Sequence, residues 1–204
     1  MADLTHIPGK SALDGMTAET APTQPDSDRA IQITDCGLMT RINLRCDAEN
    51  PEIKKRLQRL VGTTLPQQAN RFNQSGDRAI IWLGPDEWLI LAEDGAAASI
   101  IAELDIPEAG HVAVTDVSDA LGGIGLQGAA VRQVLAKHCA LDFHASSFTT
   151  GMAAQSLLSH ASVIIQCLDD QRFMVTGRSS FMPYILELLK DAAVEYGYQF
   201  EGAA

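Results

Sequence analysis

Two short apolar runs, AIIWLG over 79–84 and WLILA over 88–92, are separated only by Pro85-Asp86-Glu87. That spacing constrains the fold more than any other feature of the chain. A parallel return would need a crossover of a dozen residues or more, so the second run must come back antiparallel, as a hairpin. Pro85 suits the second position of the turn. The same quick return recurs downstream, where MAAQSLLSHA, ASVIIQCLD and RFMVTG read as three short strands over 152–177. A doubly wound parallel sheet therefore fits poorly, and an α+β fold is expected.

The remaining periodicities fill in that fold. LMTRINLR over 38–45 alternates as a strand, with Met39, Arg41 and Asn43 opposite Leu38, Thr40, Ile42 and Leu44. Asn50-Pro51-Glu52 opens a helix by capping and a pre-formed first turn; Ile53, Leu57, Leu60 and Val61 share its apolar face and Gly62 ends it. Asp94 is positioned to cap a second helix running to about Leu104, before Pro107 and Gly110 break the chain. HVAVTDVS over 111–118 is the next strand. After a glycine-rich bend, Leu126, Ala130, Val131, Val134 and Leu135 support a helix ending near Lys137, and a last helix runs from about Ser180 to Tyr196. Strand, helix, hairpin, helix is thus followed by strand, helix, strands, helix. The order suggests an internal duplication joined near 105–110, with two small tandem α+β units, 31–108 and 109–200, built on antiparallel or mixed sheets. Residues 1–30 lack periodicity, are interrupted by Pro22 and Pro25, and are expected to be a flexible or partner-bound tail.

Composition narrows the partners. The net charge of -11 argues against nucleic acid, whose binding draws on basic density, and the 5% of aromatic residues form no stacking stripe. No apolar stretch approaches the roughly 20 residues needed to cross a bilayer. No basic segment followed by an apolar core opens the chain, so a cytoplasmic protein is expected. Cys36, Cys46, Cys139 and Cys167 have no paired metal spacing and read as free thiols.

Candidate chemistry is sparse. Gly122-Gly123-Ile124-Gly125-Leu126-Gln127-Gly128 sits between a strand and a helix as a nucleotide loop would, but its spacing is not G-x-G-x-x-G and no G-K-[ST] follows. His138, Cys139, Asp142 and His144 lie close in sequence; a metal site would require the loop to fold back tightly, and a structured loop beside a partner is the simpler reading. Asp116 and Asp119, flanking Ser118 at a strand end, cap a turn in the simple reading; a carboxylate there could also hold an amine or a pterin ring. Trp82 and Trp88 share the hairpin as core residues or interface anchors, and Asp86 and Glu87 lie in its turn.

Several strings together resemble the gamma subunit of heterotetrameric sarcosine oxidase. Trp82-Leu83-Gly84-Pro85-Asp86-Glu87-Trp88-Leu89 is similar to a family signature without change. Arg41-Ile42-Asn43-Leu44-Arg45 upstream, Leu65-Pro66 with Asn70, and His111 to Asp119 with its DVSD turn continue the likeness. It extends through Gly128 to Lys137, Cys139 and Leu141-Asp142, then Phe148, Gly151, Gln155, Arg178, Ser179 and Phe181, spanning about 36–197. Ala140 stands where the family commonly has proline and His138 where it has glycine, and Arg178-Ser179-Ser180-Phe181 is looser than the usual RSF.

The resemblance implies an accessory chain in an αβγδ enzyme that oxidatively demethylates sarcosine. With oxygen and tetrahydrofolate, the products are glycine, 5,10-methylenetetrahydrofolate and hydrogen peroxide. It implies no cofactor and no catalytic residue on this chain, with FAD and FMN on the beta subunit, NAD and tetrahydrofolate on alpha and zinc on delta. The partners are alpha, beta and delta, chiefly alpha, and the fold is aminomethyltransferase-like. Trp82, Asp86, Trp88, Arg132, His138, Asp142 and Arg178 are the expected interface or structural residues. The alternatives are a stand-alone folate-binding or methyl-transfer protein using Asp116, and an independent acidic domain with an unrelated partner.

Overall fold

The computed structural model describes residues 9–21, 30–106 and 110–202. Pro22, Pro25 and Pro107 lie outside the described residues. The strands are β1 (Glu19–Thr20), β2 (Ile31–Asp35), β3 (Thr40–Cys46), β4 (Phe72–Ser75), β5 (Arg78–Gly84), β6 (Glu87–Ala92), β7 (Val112–Asp116), β8 (Leu121–Gln127), β9 (Ala153–Leu158), β10 (Ala161–Cys167), β11 (Arg172–Arg178) and β12 (Tyr198–Glu201). The helices are α1 (Pro51–Val61), α2 (Ala97–Leu104), α3 (Val131–Ala136) and α4 (Met182–Ala193).

The strands form two sheets. The smaller runs β4-β5-β6-β3-β7 and the larger β1-β12-β2-β8-β11-β10-β9. All pairings are antiparallel except β12 with β2. This is the α+β architecture with two sheet-bearing parts that the quick strand returns implied. Sheet membership does not follow the joint near 105–110, however. The early strand β2 belongs to the larger sheet, and β7 crosses back to edge the smaller one.

Local rules account for the elements of the smaller part. The Asn50 side chain accepts hydrogen bonds from the backbone N–H groups of Glu52 (3.0 Å) and Ile53 (3.1 Å), Pro51 begins α1, and Gly62 ends it at φ 74°. Ile53, Leu57 and Val61 are buried against Ile42, Leu44, Trp88 and Ile90 of the sheet. The second helix departs from expectation. It starts at Ala97 with no side-chain cap of its own; Thr40 on β3 accepts the Ala96 N–H at 3.1 Å, the work expected of Asp94.

The glycine-rich run is a strand rather than a bend. It forms β8, the fourth of seven strands, and its glycines make room for a helix. Gly122 pairs with Gly177 on β11 beneath α4. A methyl group at Gly122 would stand 2.5 Å from Met182 Cγ, and one at Gly177 would stand 2.7 Å from Ile185 Cδ1. Any side chain there would lift the helix off the sheet. A nucleotide loop is thereby excluded for this run, because its backbone is paired to β2 and β11 on both sides.

The described part of the expected tail packs on the body. Leu13 is buried in the core of the larger sheet, and β1 pairs with β12. Tyr198 donates its hydroxyl to Glu19 at 2.9 Å, and Lys190 forms an ion pair with the same carboxylate. The sequence showed neither β1 nor β12, since strands of two and four residues carry too little alternation to read.

Among the described residues, three apolar clusters hold the fold together. One lies between the smaller sheet and α1 and α2; the largest lies between the larger sheet and α3 and α4. The third, with Phe72, Ile81, Leu89, Leu91 and Ala153, joins the two sheets. Along β3 the alternation sends Ile42 and Leu44 to the helices and Arg41, Asn43 and Arg45 to the opposite face.

Candidate functional site

That opposite face of the smaller sheet is only partly covered by the larger sheet. Where the cover stops, a cleft of about 750 Å³ opens to solvent. Its floor is apolar, from Leu83 and Leu89 of the hairpin, Val117, Leu121 and Ile164. Its rim carries Asn43 and Arg45 from β3, Glu87 from β6, Thr115 from β7, Asp119, Arg178 at the end of β11 and Ser179 just beyond it. Four of the segments singled out in the sequence thus meet here: the first-strand string, the tryptophan hairpin, the DVSD turn and the Arg178 string.

The DVSD turn is the crossover between sheets. Asp116 Oδ1 accepts the Ser118 N–H at 2.9 Å and its hydroxyl at 2.6 Å, while Ser118 Oγ accepts the Arg41 N–H at 2.9 Å. Asp116 is therefore engaged in shaping a turn, the simpler of its two readings. Asp119 contributes its carbonyl to the Ser179 hydroxyl at 2.8 Å, and Ser179 N–H donates to Ala120 O at 2.9 Å, which fixes the end of β11 against the turn.

Arg41 is the residue that sequence reasoning passed over. It is 2% exposed, and its Nη1 reaches across to Leu121 O of the larger sheet at 2.9 Å. Burial lowers its pKa, with Cys36 and Asp35 opposing. A charged residue between Met39 and Asn43 on a strand face was the available signal. Burial likewise pushes the Cys36 thiol up to about 11, which keeps it protonated and unreactive.

The hairpin residues divide. Trp88 is fully buried and donates Nε1–H to Pro66 O at 2.9 Å; Trp82, its cross-strand partner, is half-buried on the same face. Asp86 accepts from Arg45 Nη2 at 3.0 and 3.1 Å, with His111 Nε2 at 3.7 Å. The Arg45 guanidinium holds the Asp86 carboxyl below the usual range. Glu87 accepts the Asn43 amide at 2.7 Å.

Arg132, His138 and Asp142 lie elsewhere, around the loop that follows α3. Arg132 Nη1 donates to Phe143 O and Phe148 O, both at 2.9 Å, and Nε donates to Asp170 O at 3.2 Å. Its guanidinium stands 5.0 Å over the Phe173 ring, within a cluster completed by Phe143 and Phe148. His138 accepts the Ser159 N–H at its carbonyl, 2.6 Å away. Asp142 accepts the His144 N–H at 2.9 Å, and His144 Nδ1 meets Ser146 Oγ at 2.8 Å. Cys139 Sγ instead faces Ser156 Oγ at 3.4 Å. The loop does not gather these groups around one point, and among the described residues no three His, Cys, Asp or Glu side chains are grouped as metal ligands. No helix among the described residues is long and apolar enough to cross a membrane.

Comparison with known proteins gives this arrangement a context. The chain is 31% identical to a sarcosine oxidase subunit gamma of Corynebacterium sp. (strain P-1) over 179 residues, 86% of each chain. A second relative of the same description, from Arthrobacter sp., is 32% identical over 139 residues, 67% of each. Among solved structures, the heterotetrameric sarcosine oxidase from Corynebacterium sp. U-96 contains a chain that superposes with a TM-score of 0.73 at 26% identity, covering 83% of this chain and 86% of that one. The glycine cleavage system aminomethyltransferase T from Bartonella henselae shares the fold, with a TM-score of 0.61 at 14% identity over 91% of this chain and 55% of that one. Residues 45–195 match the sarcosine oxidase, gamma subunit family, and the chain belongs to that family.

Proposed function

We propose that this chain is an assembly subunit of a heterotetrameric sarcosine oxidase and carries no catalytic residue itself. The observation that carries this reading is the near full-length likeness to chains named as sarcosine oxidase subunit gamma, 86% of each chain in one case. The reaction is the oxidative demethylation of sarcosine with oxygen and tetrahydrofolate to glycine, 5,10-methylenetetrahydrofolate and hydrogen peroxide. FAD, FMN, NAD, tetrahydrofolate and zinc belong to the other subunits, and the alpha subunit is the chief partner.

The engagement of the candidate residues supports this division of labour. Trp88, Arg132 and Asp142 hold the fold through internal hydrogen bonds, and Asp116 shapes a turn. Chemistry on a flavin would need groups aimed at a cofactor. The test is coexpression with the neighbouring oxidase subunits. The chain purified alone should be colourless and inert toward sarcosine, and coexpressed it should copurify in a yellow, active complex of 1:1:1:1 subunit stoichiometry. Flavin absorbance or sarcosine turnover by the isolated chain would sink the proposal. Saturable binding of reduced folate to the isolated chain, lost in Asp116→Ala, would favour the stand-alone folate-binding alternative.

A further inference from the structure

The cleft between the sheets has a rim of unequal charges. Arg45, Arg56, Arg59, Arg78, Arg132 and Arg172 each have a carboxylate partner, whereas Arg71, in a separate hollow, has none among the described residues. Arg178 is exposed on the rim, and among the described residues its guanidinium has none. An unpaired cation over an apolar floor is unusual in a chain whose net charge is -11. We propose that this cleft seats an extended segment of a partner subunit, an acidic side chain bound by Arg178 and apolar neighbours lying on Leu83, Val117 and Ile164. The inference rests on the assembly role proposed above and adds the surface to it.

Three further observations select such an occupant. First, β7 is the edge strand of the smaller sheet. The Val117 N–H points inward to Arg41 O, so by alternation the backbone groups of Val112, Val114 and Asp116 point outward, open to another strand. Second, Ser180 at the end of the cleft is followed in the chain by Phe181 and, one helical turn on, Tyr184. These rings are 40% and 37% exposed and meet edge to face at 6.4 Å, a pair suited to covering by a partner. A small ligand would leave both the edge and the rings uncovered. Third, the other acids of the rim limit the charge of the segment. Glu87 and Asp119 would repel a run of acids, so one acid among apolar residues fits where a polyacidic tail does not.

The experiment is coexpression of the tagged full chain with the other oxidase subunits, followed by affinity capture and quantitation of the partners. Arg178→Glu should lower captured partner at least tenfold at physiological salt, and Arg178→Ala about threefold or more. Arg71→Glu, in a separate hollow lined by Thr64, Gln68 and Asn73, should leave capture unchanged. Thermal melts of the isolated variants should overlay the wild type, because among the described residues Arg178 has no side-chain hydrogen bond or ion pair to lose. A photo-crosslinking residue in place of Ser180 should join covalently to a partner chain, and one in place of Gln68 should not. Capture of partners by wild type and Arg178→Glu alike, or no crosslink at 180, overturns the cleft as the seat while leaving the assembly role standing. Failure of the wild type to capture any partner overturns the assembly role and the cleft together.

Discussion

Arg132 and Arg178 are the same residue type in opposite situations. Arg132 stands at the start of α3 with its guanidinium enclosed by two backbone carbonyls of the following loop, the Asp170 carbonyl and a phenylalanine ring. Arg178 ends β11 in the open, beside an apolar floor, and its guanidinium has no partner among the described residues. The loop around Arg132 completes itself, whereas the proposed seat at Arg178 would be completed by a partner. The contrast separates an arginine that maintains the fold from one whose guanidinium is left at the rim of the cleft.

The largest effects should fall on the self-contained side. Phe148→Ala should destabilise by about 3–5 kcal/mol in urea unfolding, because a buried ring is removed from a packed aromatic cluster. Arg132→Ala follows at about 2–3 kcal/mol, since the Phe143 and Phe148 carbonyls lose charged donors. If Arg178→Ala, expected to stay within about 0.5 kcal/mol of wild type, cost as much, the contrast between the regions would collapse.

Asp116→Ala should lower stability by about 1 kcal/mol, through loss of the hydrogen bonds to Ser118. The same variant should weaken partner capture, because the turn positions the cleft wall.

The smallest effect is acid loosening of the Arg132 loop. The Ser147 hydroxyl, then the His144 N–H, hold the Asp142 carboxyl below its ordinary 3.8. A depressed folded pKa contributes stability above the ordinary value and loses it as pH falls from 3.8 through the folded value. Amide exchange at His144 should accelerate in that window, and Asp142→Asn should abolish the step.

Much of the architecture could be read in the sequence wherever local chemistry decided it. Asn50, Pro51 and Gly62 bound α1 by rules that need no tertiary context, and the three residues between two apolar runs forced the hairpin. The misreadings share a different cause. The run 122–128 reads as a bend because glycine weakens a strand locally, while here the packing of α4 demands it. Thr40 rather than Asp94 meets α2, a partner supplied from 56 residues away. The cleft was visible only as four separate strings, since nothing in a linear pattern says that Asn43, Glu87, Thr115 and Arg178 share a rim. Arg132 and Arg178 likewise looked alike until their neighbours were known.

The exchange of strands between the sheets has a consequence for how this molecule is made. Every strand of the smaller sheet lies between Thr40 and Asp116, so it can close while the ribosome is still translating the second half. The larger sheet must wait, because β2, one of its earliest strands, is flanked on one side by β12, the last. Even after β8 has paired with its other side, the nascent chain displays β2 with one bare edge, open to chaperones or to mispairing with its neighbours on the polysome. A stop codon directly after Gly197 would leave that edge of β2 permanently unpaired.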